Sequence, residues 1–189
     1  MSMPTLDMEK LKNLIHYICY KTYAAHSANF GKVKLNKILW FSDAIFYMNH
    51  RRPITGETYV KGQYGPMSQN ILDALRELAH EMKVLESSVT QYGYPKKEYA
   101  VLKNPDISSF TAEEISHVDE VIQRVCDNFT AAEISAFTHN DVWEAAEIGE
   151  EIPYVAVAFD RPVQPSREEI EWAKNVIDIS ERAHEVVEA

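Results

Sequence analysis

Apolar positions recur along this chain with two different periods. Leu11, Leu14, Ile15, Ile18 and Cys19 fall at helical spacing and predict an amphipathic helix over residues 8 to about 25, which the stretch AAHSANFG ends. Leu35, Ile38, Leu39, Ile45 and Phe46 predict a second helix over about 33 to 49. Trp40 and Phe41 widen its apolar face so far that it must be buried on several sides, at the centre of the core. Ile71, Leu75, Leu78 and Met82 give a third helix. The period then drops to two: Leu85, Ser87 and Val89 share one face of KVLESSVTQ, and Tyr99 and Val101 one face of KKEYAVL. With the turn-forming YGYP between them, the pair reads as a hairpin.

Three capping boxes announce further helices, because an N-cap hydroxyl and a glutamate three residues later satisfy each other's orphan backbone amides. They are Thr111 with Glu114, Thr130 with Glu133, and Ser166 with Glu169, opening helices over about 112–128, 131–139 and 167–184. Between the last two, the prolines and β-branched residues of EIPYVAVAFDRPVQP favour an extended connection. The pattern as a whole predicts a mainly helical α+β domain with a small antiparallel sheet, winged-helix-like in its order of elements, followed by C-terminal helices.

The segment PITGETYVKGQYGPMSQ, residues 53–69, holds three of the six glycines and two of the eight prolines. Pro53 to Gly56 reads as a tight turn that sets Thr58 to Lys61 extended, as a strand able to join the later hairpin in a three-stranded sheet. Pro66 suits the first turn of the third helix, with Gly65 or Ser68 as its cap. Asp43 does not fit its surroundings: a carboxylate among Trp40, Phe41 and Phe46 must be hydrogen-bonded, paired or on an exposed stripe. The preferred reading gives it donors from the nearby loop, namely backbone amides around Tyr64.

Charge is unevenly spread within a net of −10. Residues 1–65 hold nine basic and four acidic side chains, residues 66–103 five of each, and residues 104–189 five basic and twenty acidic. An acidic back half repels nucleic acid and attracts basic partners. No signal-like start or membrane-length apolar run occurs, so a cytoplasmic protein with no membrane association is expected. Cys19 and Cys126 are far apart, each among helical apolar residues, and are expected as reduced buried thiols; they build no zinc pattern.

Candidate chemistry is sparse. No GxSxG, HExxH, GxGxxG or Walker-type loop is present, and NFGKVK lacks the upstream glycine of a phosphate-cradling loop. His139 with Asp141 and Ser135 is the nearest approach to a catalytic trio, but side chains at one helix end rarely form the required chain of contacts. No enzyme, cofactor or metal is expected. A nucleic-acid reading places Lys32, Lys34, Lys37, Arg51 and Arg52 toward phosphates and Lys96 and Lys97 on a wing. Against it, the third helix carries Asp73, Glu77 and Glu81 beside only Arg76, the wrong balance for a groove.

The run KLNKILWFSDAIFY followed by RPITGETYVKGQYGPMS resembles the signature of the Panacea, or SocA-like, antitoxin domain found in many phage-encoded and bacterial proteins. Lys34, Leu35, Lys37, Leu39, Phe41 and Asp43 match the helix of that pattern, Pro53 to Gly56 its PITG turn, and Tyr64, Gly65 and Pro66 its YGP. A second block, ISAFTHNDVWEAAEIGEEIP, supplies Thr138, His139, Trp143, Gly149, Ile152 and Pro153. Trp40 stands where the family has tyrosine, Ser42 where it has alanine, and Val142 where a proline is expected. The likeness covers about residues 30–155, which sets a domain at 1–160 and an acidic helical extension at 161–189.

The resemblance implies a non-enzymatic antitoxin that binds and neutralises a toxin encoded beside it. Members of the family are paired with unrelated toxins, including nucleotide-pyrophosphate synthetases and translation inhibitors, and one is a proteolytic adaptor. The expected partner is therefore a cognate toxin, with a protease unfoldase or the protein's own promoter DNA as alternatives. Lys37, Asp43, Pro53, Gly56, Tyr64, Gly65, Pro66, His139 and Trp143 are then structural members of the signature. Tyr59, Lys61, Tyr64, Glu144, Glu147, Glu150 and Glu151 are the candidate contacts to a basic partner, and His139 and Trp143, one helical turn apart, are expected to pack ring on ring.

Overall fold

The computed structural model describes residues 5–25, 30–91 and 94–160, with the side chains of 91, 94 and 95 left aside. Helix α1, Met8–Ala24, is capped by the Asp7 carboxylate, which accepts from the Lys10 amide, and buries Leu11, Leu14, Ile15, Ile18 and Cys19. Helix α2, Lys32–His50, buries twelve residues spread around its circumference. A helix that is apolar nearly all round has to be wrapped, and most of the elements that follow pack against α2.

Strands β1, Tyr59–Gly62, and β2, Gly65–Ser68, form an antiparallel hairpin in the register Tyr59 to Ser68 and Gly62 to Gly65. Helix α3, Ile71–His80, follows, and then the hairpin of β3, Val84–Gln91, with β4, Tyr94–Val101. Helices α4, Ala112–Asn128, α5, Ala131–Phe137, and α6, Asp141–Ala145, lead into a 3-10 helix, Tyr154–Phe159. Two capping boxes form as expected, Thr111 with Glu114 and Thr130 with Glu133. The third, Ser166 with Glu169, lies outside the described residues together with the rest of the 161–189 extension.

The α+β class and the central place of α2 agree with the sequence pattern, while three local expectations do not. Pro66 and Ser68 belong to β2 and not to the start of α3, whose N-cap is Asn70. The two hairpins form separate two-stranded sheets, because the free edge of β1 is taken by a later segment. Gly149 N donates to Lys61 O at 2.9 Å, Lys61 N to Glu150 O at 2.7 Å and Ile152 N to Tyr59 O at 2.8 Å, so β1 is bonded along both sides. Residues 154–159 are 3-10 helix rather than extended. In the second hairpin the buried face carries Val84 and Tyr99, and Leu85 faces outward. Cys19 is buried and Cys126 half-buried, and neither forms a disulfide.

Candidate partner-binding surface and the network beneath it

Asp43 is fully buried on α2 and accepts four hydrogen bonds. Its Oδ1 takes the backbone amides of Ile54 at 2.8 Å and Thr55 at 2.7 Å, and its Oδ2 the hydroxyls of Thr55 at 2.5 Å and Tyr59 at 2.9 Å. Burial pushes its carboxyl upward, against the pull of these donors. The donors come from the PITG turn and β1, not from the amides near Tyr64. The side chain of Asp43 thus stands in for a missing strand partner and fixes how the chain leaves α2. Tyr154 adds a second tie from the far end of the domain, its hydroxyl donating to Glu57 O, and Trp40 packs edge-on to Tyr59 with centroids 5.2 Å apart.

Six residues earlier on α2 lies Lys37, 1% exposed, with Nζ donating to Pro66 O at 3.4 Å. Gly65 sits directly over it, at φ +99°. A Cβ there would fall 2.1 Å from Lys37 Nζ and 2.3 Å from Thr138 Oγ1, so the YGP glycine is needed both for its backbone angle and for its lack of a side chain. Burial pushes Lys37 down to about 7, partly opposed by Asp160, whose own carboxyl burial raises to about 6. Asn140 ties this corner together: its Oδ1 caps α6 by accepting from Trp143 N, and its Nδ2 donates to Ala156 O and to Asp160.

Above the buried layer, His139 and Trp143 stack with ring centroids 3.7 Å apart and planes 7° from parallel. Trp143 Nε1 donates to Gly62 O at 3.2 Å, and Lys61 Nζ lies 4.2 Å from the indole centroid while donating to Ala146 O at 2.9 Å. Ser135 Oγ donates to Tyr64 O at the tip of the β1–β2 hairpin. The PITG–YGP segment and the block around residues 138–152 are therefore two halves of one structure, clamped on α2.

The candidate contacts divide accordingly. Tyr59, 1% exposed, is consumed by Asp43 and supports the surface from beneath instead of offering a contact, which corrects the expectation made of it. Lys61 is half-buried, with its amine turned onto α6. Tyr64 is 56% exposed, and Glu144, Glu147, Glu150 and Glu151 are exposed. Beside these glutamates a groove of about 520 Å³ opens between α6 and the 3-10 helix, and Ile148 projects next to it, 72% exposed.

The chain matches the family described as antitoxin SocA-like, Panacea domain, over residues 35–144, more than half of its length. It belongs to that family. No curated protein and no solved structure matches it. The matched span runs from α2 through the Trp143 stack, so it contains the whole clamp except the segment that closes the free edge of β1.

Within this Panacea domain, of the basic residues a nucleic-acid reading would turn toward phosphates, two are internal and three are paired with glutamates, while Lys32 is half-buried and Arg51 exposed. Lys34 is 2% exposed and Lys37 1%, Arg52 is bonded to Glu114 at 2.7 Å, and Lys97 pairs with Glu86 at 2.7 Å. Lys96 is near Glu98 at 3.4 Å, and on α3 Arg76 is paired with Asp73. Among the described residues no group of three or more His, Cys, Asp or Glu could hold a metal ion, and no helix is long and apolar enough to cross a membrane. Sequence reasoning missed Asn36, which accepts from Ser68 N, as well as Asn140 and Tyr154. Asn140 was legible in principle, since asparagine before DVWE is an N-cap pattern.

Proposed function

We propose that this protein is the antitoxin of a toxin–antitoxin pair and neutralises its toxin by direct, non-catalytic binding in the cytoplasm. The family supports the antitoxin role in general terms. The observation that carries the binding mode is the way the signature residues are spent. Asp43 is spent on Ile54, Thr55 and Tyr59, Gly65 lies against Lys37 and Thr138, and Trp143 is bonded to Gly62, so these residues hold a surface in place from within the fold. On that surface stand Tyr64 and four exposed glutamates, a combination suited to a basic protein partner.

The test is growth rescue. The gene beside this one in the source genome is induced with and without this protein, and growth and co-purification are followed together. Rescue with a stable complex supports the reading; a toxic neighbour that is neither rescued nor bound removes it.

A further inference from the structure

The groove between α6 and the 3-10 helix has apolar walls, Val142, Ala145, Ala146, Pro153 and Phe159, and an acidic rim. Asp141, Glu150 and Glu151 line it, and among the described residues no lysine or arginine does. Phe159 is 49% exposed, so a large aromatic face is left in contact with solvent beside three carboxylates. Its frame is fixed: Asn140 joins α6 to the 3-10 helix, and residues 149–152 are stitched to β1. The charge of the rim restricts what could occupy this groove.

Three classes of occupant can be weighed. Nucleic acid would meet carboxylates where its phosphates need cations. A second copy of this chain, facing its own acidic rim across a two-fold axis, would bring like charges together. The chain's own residues 161–189 begin next to Phe159; they open with Arg161 and Arg167 on either side of Val163 but carry seven acidic and four basic side chains in all, so this segment is the rival occupant that the experiment has to exclude. A separate protein segment with lysine or arginine on either side of one aromatic or branched aliphatic residue fits both features: the apolar side chain enters between Val142 and Phe159 while the cations reach the rim.

We propose that this groove is the docking site for such a basic, singly anchored segment of the partner protein. The proposal rests on the antitoxin reading for the partner's identity, while the groove's chemistry is testable without it. The groove then supplies the anchor of the interface and the glutamates its orientation and speed of encounter.

The experiment is an NMR titration of the isotope-labelled full chain with three short synthetic peptides. One has lysines and arginines flanking a single tryptophan; the second replaces that tryptophan by glycine; the third replaces the basic residues by glutamate. The expected result is saturable shifts at Val142, Ala145, Ala146 and Phe159 with the first peptide, weakened by salt. Affinity should fall about tenfold or more with the second peptide, and similarly for the first peptide against Glu144→Lys/Glu151→Lys or Phe159→Ala protein. These substitutions are at exposed positions, and the spectrum of each variant reports whether it is folded. No saturable shift up to about 1 mM, shifts centred elsewhere, or equal binding of the glutamate peptide would overturn the proposal. Cross-peaks between Phe159 and residues beyond 160 would also overturn it, by showing the chain's own extension in the groove. Peptide binding without growth rescue would remove the antitoxin reading and leave the groove; rescue without peptide binding would do the reverse.

Discussion

Gly65 covers the ammonium group of Lys37 so closely that any side chain on it would have to displace that group. The two residues belong to different parts of the signature, the α2 helix and the YGP element, and their contact explains why a buried lysine and a glycine are needed together. Gly65→Ala is expected to destabilise by roughly 2–4 kcal/mol, from backbone strain at φ +99° plus the clash with Lys37 and Thr138. Gly149, at φ +86° with nothing within 4 Å of its would-be Cβ, is the control. Its alanine variant meets strain alone, about 1 kcal/mol. Urea unfolding midpoints of the two variants measure the difference, and equal losses would mean that Lys37 and Thr138 yield freely.

Asp43 acts through geometry as well as charge, and two substitutions separate these. Alanine strands the amides of Ile54 and Thr55 and the hydroxyls of Thr55 and Tyr59, at a cost of roughly 2–4 kcal/mol. Asparagine keeps an oxygen for the two amides and turns its NH₂ toward two hydroxyls, which are able to accept. It should therefore cost clearly less than alanine. Thermal melts of both variants decide the matter; if asparagine proves as harmful as alanine, the negative charge itself is what the turn requires.

The pattern of this domain was legible in the sequence where one element's own periodicity carries the information. The breadth of the α2 apolar face announced a buried helix, and the capping boxes announced α4 and α5. It was less legible where the deciding partner is far along the chain. Pro66 looks the same at a helix start and in a short strand, and only the pairing of β1 with both β2 and residues 149–152 distinguishes them. Lys34 and Lys37 looked like surface cations because lysine almost always is one. Nothing local marks them as internal, since what buries them is α4, α5 and the YGP turn closing over α2. Asp43 was recognisable as an anomaly, yet its donors include backbone amides and a threonine hydroxyl, groups that leave no distinctive mark in sequence.

Lys37 and Asp160 should leave a readable trace in the pH dependence of stability. Burial holds Lys37 near 7 against an ordinary value of 10.5, so between about pH 7 and pH 10 the unfolded chain binds more protons than the folded one. Stability from this group therefore rises with pH across that window and is at its lower, constant level below it. Asp160 acts in the opposite sense: raised to about 6 from 3.8, it holds a proton in the folded state that the unfolded chain has lost, so stability falls as pH rises from about 4 to 6. Lys37→Met should abolish the upper limb and Asp160→Asn the lower one. His16 and His117, both lowered by burial, also titrate, so the informative quantity is wild type minus variant in urea unfolding at a series of pH values. A difference that stays constant from pH 7 to pH 9 would show that Lys37 titrates normally in the fold.

Trp143 is the point at which the second half of the signature is fastened to the first. It meets His139 face to face, receives the Lys61 ammonium on its ring and donates to Gly62 O. Trp143→Phe keeps a ring for the stack and loses the hydrogen bond, a cost of about 1 kcal/mol; Trp143→Ala loses all three contacts and should cost roughly 2–3 kcal/mol. Residues 147–152 are attached to the domain through β1, and Trp143 holds β1 from the same side, so the loss should be local. Amide exchange should accelerate at Lys61, Gly149 and Ile152 in the alanine variant while α1 and α2 keep their protection. If the outer face is where a toxin binds, the same variant should weaken rescue although the protein stays folded. Uniformly faster exchange would instead mean that Trp143 belongs to the global core, and reduced rescue would then say nothing about the surface.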